Sequence, residues 1–305
     1  MNAGTRIGAF VGLLVLLFAG AAFAGARLDP SVEELGEDME MAMDSGSAEH
    51  GGGAHAGGDP AELPGLAVAS GGYRLDVPLT RIPPVRGARL DFSIVDDQGE
   101  VVRDFDIEHE RRMHLIVVRR DFQGFQHLHP EQRPDGTWTV RMDGSLPGTH
   151  RMFADFSTAG EPLTLASDLF VPGEFRPEAL APAASTADAG DGYEVSLSAP
   201  VARAGETVET EFVVSRNGRP VGSVEPYLGA DGHLVALREG DQAFLHTHPE
   251  GEPGGAGPIR FGVSYPSVGR YRLYLQFRHG GKVRTAEFTR VAGPVPHGGG
   301  EDDGH

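Results

Sequence analysis

Apolar and polar residues alternate in short runs through most of the chain. Tyr73-Arg-Leu-Asp-Val, Ala88-Arg-Leu-Asp-Phe-Ser-Ile-Val, Trp138-Thr-Val-Arg-Met and Arg151-Met-Phe-Ala-Asp-Phe carry the period of two expected of strands with one buried face. Leu165-Ala-Ser-Asp-Leu-Phe-Val follows them. The series returns as Val208-Glu-Thr-Glu-Phe-Val-Val, Ile259-Arg-Phe-Gly-Val, Tyr271-Arg-Leu-Tyr-Leu-Gln-Phe and Val283-Arg-Thr-Ala-Glu-Phe. Turn signals such as Asp97-Gln98-Gly99 and Asn217-Gly218 separate the runs. Past the N-terminus no long stretch has the helical period. About seven short strands per ~100 residues predict an all-β chain of two tandem immunoglobulin-like β-sandwich domains.

The return is a true repeat. Gly72-Tyr73 matches Gly192-Tyr193, His114 matches His233, and Gly148 and Phe156 match Gly269 and Phe277. The boundaries that follow are sandwich 1 at 66–173, a Pro-, Ala- and acid-rich linker at 174–191, sandwich 2 at 192–292 and a disordered tail at 293–305. An N-terminal hydrophobic helix precedes them, because residues 7–26 carry no charge and lie between Arg6 and Arg27. Such a run is long enough to span a bilayer. Ala22-Phe-Ala24 and Ala24-Gly-Ala26 equally suit signal-peptide cleavage. Segment 1–26 is therefore a transmembrane anchor or a signal peptide. The first makes the protein single-pass in the cell membrane and the second makes it secreted; both put its bulk outside the cytoplasm. Residues 27–65, with ten acids and one base, read as a disordered acidic tether.

Composition narrows the chemistry. The net charge of −18 over 305 residues argues against a nucleic-acid partner. The lack of cysteine removes disulfides, thiol nucleophiles, iron–sulfur clusters, thiolate zinc sites and blue copper. What remains for a metal is imidazole, thioether and carboxylate. The tether holds Met39, Met41 and Met43 near His50 and His55. Soft thioethers suit Cu(I) and imidazoles suit Cu(II) or zinc, so these methionines are candidate auxiliary copper ligands.

The sharpest signal is His-x12-His-x-His-Pro-Glu, present as His114…His127-Leu-His129-Pro-Glu131 and as His233…His246-Thr-His248-Pro-Glu250. In the second copy, Glu239-Gly-Asp-Gln242 reads as a two-residue type II′ hairpin turn. That register sets His233 opposite His248 and Val235 opposite His246. Side chains alternate along a strand and directly opposed residues share a face, so all three imidazoles point one way. Any even-length loop does the same for His114, His127 and His129. Each trio is a candidate site for copper, with zinc as the alternative. The same residues also fit a plain edge strand whose imidazoles bond to loop carbonyls. Copy 1 carries the extra candidates His109, Glu110, Met113, His150 and Asp155, where copy 2 has Leu228, Gly229, Gly232, Tyr271 and Gln276, so copy 1 is expected to be the better site. His109-Glu-Arg-Arg-Met-His114 lacks the spacing of helical zinc proteases, and no nucleophile elbow or phosphate loop occurs in a suitable setting. An enzyme is not expected.

The segments Met113–Glu131, Pro226–His233 and Phe244–Gly251 resemble those of exported or membrane-anchored actinobacterial proteins labelled heavy-metal-associated or secreted. Their two modules are similar to YtkA-like and FixH-like β-sandwiches. The resemblance spans roughly residues 62–292 and implies an anchored or exported two-module protein associated with copper handling. The expected role is extracytoplasmic metal capture or presentation, with metal binding fading as pH falls through ~6, where free imidazole titrates. The alternative is a tethered structural or interaction module of the cell envelope, with a partner protein and no metal role.

Overall fold

The computed structural model describes residues 63–245 and 247–295. The apolar run at 7–26, the tether residues Met39, Met41 and Met43, His246, and the end of the tail lie outside the described residues. The chain is all-β, and its strands repeat as the sequence does. Module 1 contains β1 (Ala69–Ser70), β2 (Tyr73–Asp76), β3 (Arg86–Val95), β4 (His114–Arg119), β5 (Gln126–Leu128), β6 (Glu131–Gln132), β7 (Trp138–Asp143), β8 (Gly148–Thr158) and β9 (Glu161–Val171). Module 2 contains β10 (Thr186–Gly190), β11 (Tyr193–Ser198), β12 (Ala202–Arg203), β13 (Glu206–Arg216), β14 (Arg219–Pro220), β15 (His233–Arg238), β16 (Phe244–Leu245), β17 (Thr247–Glu250), β18 (Ile259–Tyr265), β19 (Gly269–His279) and β20 (Lys282–Gly293). Strand β10 forms within the span expected to be linker; residues 174–184 alone are without regular structure.

Each module is an immunoglobulin-like sandwich of two sheets. In module 1 the sheet β1-β2-β3-β7-β6 faces β5-β4-β8-β9. Leu90, Phe92, Leu115, Val117, Trp138 and Met152 fill the space between them. In module 2, β10-β11-β13-β18-β17 faces β12-β20-β19-β15-β16, around Val195, Phe212, Leu234, Phe261, Leu273 and Phe288. Strand β11 shows the physical rule plainly, with Tyr193, Val195 and Leu197 buried and Glu194, Ser196 and Ser198 exposed. Strand β4 breaks that rule, for all six of its residues are buried.

The exception has a cause in the sequence. Within His114–Arg119, Leu115-Ile-Val-Val118 is a continuous apolar run, the pattern of a strand covered on both faces. Leu115 and Val117 enter the core of module 1. Ile116 and Val118 turn the other way, and with Phe122, Phe153 and Ala166 they meet Val235, Leu237 and Tyr274 of module 2 in a third apolar layer. The two sandwiches thus dock sheet against sheet.

Contacts in this layer are reciprocal. Phe125 stacks on Tyr274 at 4.1 Å between ring centroids, and their repeat counterparts Phe244 and Phe153 meet at 5.5 Å. Such self-matching is how a two-fold dimer packs. Here both partners belong to one chain. Tyr274 Oη donates to the Phe122 carbonyl at 2.7 Å, and Gln242 Nε2 donates to the Arg119 carbonyl at 3.0 Å. Among the described residues no helix is long and apolar enough to cross a membrane.

Candidate metal centre

The first histidine hairpin forms in the expected register. Strand β4 pairs with β5 through Leu115–Leu128, Ile116–His127 and Val117–Gln126. His127 therefore shares a face with Ile116 and His114, and His129 follows one step further along. Ring nitrogens of His114, His127 and His129 all lie within 4.8 Å of one another. Beyond His129-Pro130 the chain leaves this sheet, and Glu131 pairs with Thr139 in the other.

Two of these rings are fixed at both nitrogens. His114 Nε2 lies 3.1 Å from the Glu108 carbonyl, and His127 Nδ1 lies 2.7 Å from Gln276 Oε1 of module 2. The Glu108 carbonyl only accepts, and with the Gln276 amide oxygen turned toward His127 both outer partners accept, so each ring turns its N–H outward. The inner nitrogens, His114 Nδ1 and His127 Nε2, then face each other at 3.0 Å. Three contacts each call for a proton, and two neutral imidazoles carry only two. In this amide orientation the facing lone pairs call for a cation between them, either a third proton or a metal ion. Metal–nitrogen bonds of about 2.0 Å, meeting at about 90–109°, hold ligand nitrogens about 2.8–3.3 Å apart. His129 Nε2 is buried and has no hydrogen-bond partner.

Burial opposes the proton. It pushes the His114 imidazole down to about 4, against a smaller raising effect of the Glu108 carbonyl. His127 is driven to about 3 by burial and then by His114, and His129 to about 4 by burial and then by His114 and Arg111. These imidazoles keep their lone pairs at neutral pH. The expected loss of binding through pH ~6, which assumes a free imidazole, moves down accordingly.

The second hairpin keeps its register, but the chain then departs from it at His248. Ala236 pairs with Leu245 and Leu237 with Phe244, as expected. The turn is not the two-residue type II′. Arg238 N donates to the Ala243 carbonyl across a four-residue loop, with Gln242 in the left-handed region at φ 60°. The loop stays even, so the register survives, and buried Gln242 is free to reach module 1. At Thr247 the chain switches sheets, and exposed His248 pairs with Gly262 instead of standing opposite His233. His246 lies outside the described residues. The trio His233, His246 and His248 is thus not set out as the register extrapolated.

His233 has joined the first cluster. Its ring stacks on His114 at 5.4 Å and lies 4.5 Å from His127. Burial, followed by His127 and His114, holds its imidazole well below the usual histidine range. His109 completes a group of five. It occupies a tight turn in which Glu108 and Arg111 exchange both backbone hydrogen bonds, and His109 and Glu110 take φ of 46° and 64°. Left-handed backbone at two successive residues other than glycine is costly and marks a constrained turn. The turn delivers the carbonyl for His114 and sets His109 5.9 Å from His233.

The remaining copy-1 candidates fall elsewhere. Met113 is a core residue of module 1. His150 pairs with Arg119, at the far end of β4 from His114. Asp155 stands opposite His114 and accepts a hydrogen bond from Thr164 Oγ1 at 2.8 Å. Its repeat counterpart is Gln276, which stands opposite His233. The acceptor on His127 is thus a position where the two copies differ. The sequence pattern did not single out Gln276 as a functional residue. The signal that could have exposed it is the double-faced apolar character of β4 and β15, which requires each to be covered by something beyond its own module.

These features define a tandem immunoglobulin-like protein with a histidine cluster at the seam of its two modules. The chain belongs to the family described as a domain of unknown function, DUF8832, which it matches twice, at residues 67–173 and 186–293. No curated protein matches it. Among solved structures it is similar to the Escherichia coli adhesin FdeC, at 14% identity and a TM-score of 0.25 over 75% of this chain and 66% of that one. Yersinia pseudotuberculosis InvD aligns at 12% identity and a TM-score of 0.24 over 74% of this chain and 59% of that one. The titin tandem Ig domains A164-A165 align at 12% identity and a TM-score of 0.18 over 72% of this chain and 97% of that one. The chain thus spans less than two thirds of the length of either bacterial structure.

Proposed function

We propose that this protein captures or presents a metal ion outside the cytoplasm, copper first and zinc second, through His114, His127 and His129. One observation carries the reading: the 3.0 Å contact between two inward nitrogens whose rings both have an acceptor on the outward side. An ion supplies the missing positive charge without protonating a buried imidazole. All-nitrogen donors suit Cu(II) and Zn(II) alike. The uncharged run at 7–26 supports an anchored or secreted location, as does the resemblance to YtkA-like and FixH-like modules of exported proteins. Met39, Met41 and Met43 would add a softer copper-binding element on the tether. The proposed role is binding, and no catalytic residue is assigned.

The test uses the full-length protein without an affinity tag, beside a His127→Ala/His129→Ala variant. Cu(II), Zn(II) and, under reductant, Cu(I) are titrated by calorimetry, with metal analysis after dialysis. Metal retained by the wild type and lost in the variant supports the reading. Equal retention, or none in either protein, rejects it. The rival role, a tethered module docking an envelope protein, rests on the fold alone. It predicts that replacing all six hairpin histidines leaves partner binding intact.

A further inference from the structure

We infer that His233 of module 2 is the fourth imidazole of the site, so that a bound divalent cation clamps the two modules together. The inference rests on the three-histidine reading above and adds a ligand from the other sandwich. Three observations carry it. The His233 ring centroid lies 4.5 Å from that of His127 and 5.4 Å from that of His114, with the planes of His233 and His114 11° apart. Gln276, the register partner of His233 on β19, holds the outward N–H of His127. One pair of facing residues in module 2 thus supplies both a ring beside the ion and the positioning contact for a ligand of module 1. Finally, the cluster adjoins the reciprocal apolar layer, in which Ile116 and Val235 occupy the same faces as His114 and His233.

A ligand set divided between two bodies makes docking and binding reciprocal. Metal favours the docked pair, and the docked pair presents the complete site. Gln276 is a positioning residue. Such outer contacts to a metal-bound imidazole typically account for about 10–100-fold in affinity.

The experiment uses the full chain as wild type, His233→Ala, His233→Asn and, as a control, His248→Ala. Cu(II) is the probe, with affinity from chelator competition and nitrogen count from the pulsed paramagnetic resonance spectrum of histidine-labelled protein. Hydrogen exchange at Val235, Leu237 and Tyr274 reports docking with and without the ion. The expected results are four imidazoles in the wild type and at least a tenfold affinity loss in both His233 variants. Metal-dependent protection at the seam should disappear in those variants, while His248→Ala behaves as wild type. Three imidazoles in the wild type, or unchanged affinity and spectrum in a folded His233 variant, would overturn the clamp and leave the three-histidine site standing. A wild type that binds no Cu(II) overturns both.

Discussion

Burial of the histidine cluster makes a quantitative prediction about how metal binding responds to acid. The perturbation is a change from pH 7.5 to pH 6.0. An exposed imidazole with a pKa of about 6.5 goes from mostly neutral to mostly protonated over that range, and proton competition weakens its ligation about fourfold. Three exposed ligands would together lose about 50-fold in affinity. In this protein the three imidazoles are held at about 4, 3 and 4. Almost none is protonated even at pH 6.0, so the expected loss is less than about 1.2-fold. The assay is a competition titration of Zn(II) or Cu(II) against a chelator of known pH dependence, with circular dichroism confirming the fold at each pH. A loss of tenfold or more in a folded protein would refute the reasoning, because the imidazoles would then be solvated and the site open.

Further predictions follow from the same geometry. The histidine pKa values are depressed in the fold, so the unfolded chain binds more protons below its own pKa of about 6.5. Stability from this source is therefore present above pH 6.5 and lost as pH falls toward 4; His114 alone should cost about 2 kcal/mol by pH 5. Denaturant unfolding of metal-free protein at pH 7 and 5 checks this, with a flatter profile for His114→Gln, and a pH-independent midpoint would contradict it. Tyr274→Phe strands the buried Phe122 carbonyl and should destabilise the chain by about 1–3 kcal/mol, again read from the denaturant midpoint. An unchanged midpoint would mean that the seam contributes nothing through this bond. Gly232→Ala places a methyl group 2.8 Å from the Gln276 carbonyl, so backbone beside His233 must move, at a cost of about 1–3 kcal/mol. Gly222→Ala, which meets nothing within 4 Å, serves as the neutral comparison in the same thermal melts.

Much of the architecture is legible in the residue pattern because it depends on local order. Alternation defined strands such as β11, the repeat defined two sandwiches, and hairpin parity set His114, His127 and His129 on one face. Parity is robust: the β15–β16 register survived although the turn adopted a longer loop than Gly240 suggested. What comes after a strand ends is not local. Whether the chain stays in its sheet beyond Leu245 is decided by pairing with β18, more than ten residues away, and so His248 departed from its expected partner.

Tertiary structure also decided that His233 of the second module lies against the histidines of the first. Each face continues an apolar strip that its own sandwich cannot cover, Ile116 and Val118 in one module and Val235 and Leu237 in the other. Burying both strips requires the modules to meet, and a duplicated surface can meet its copy reciprocally. That docking carries His233 onto His114 and brings Gln276 to His127. The sequence by itself determines which residues share a face. Only the packing of one sandwich on the other determines which faces share a site, because that depends on apolar area that no single module buries.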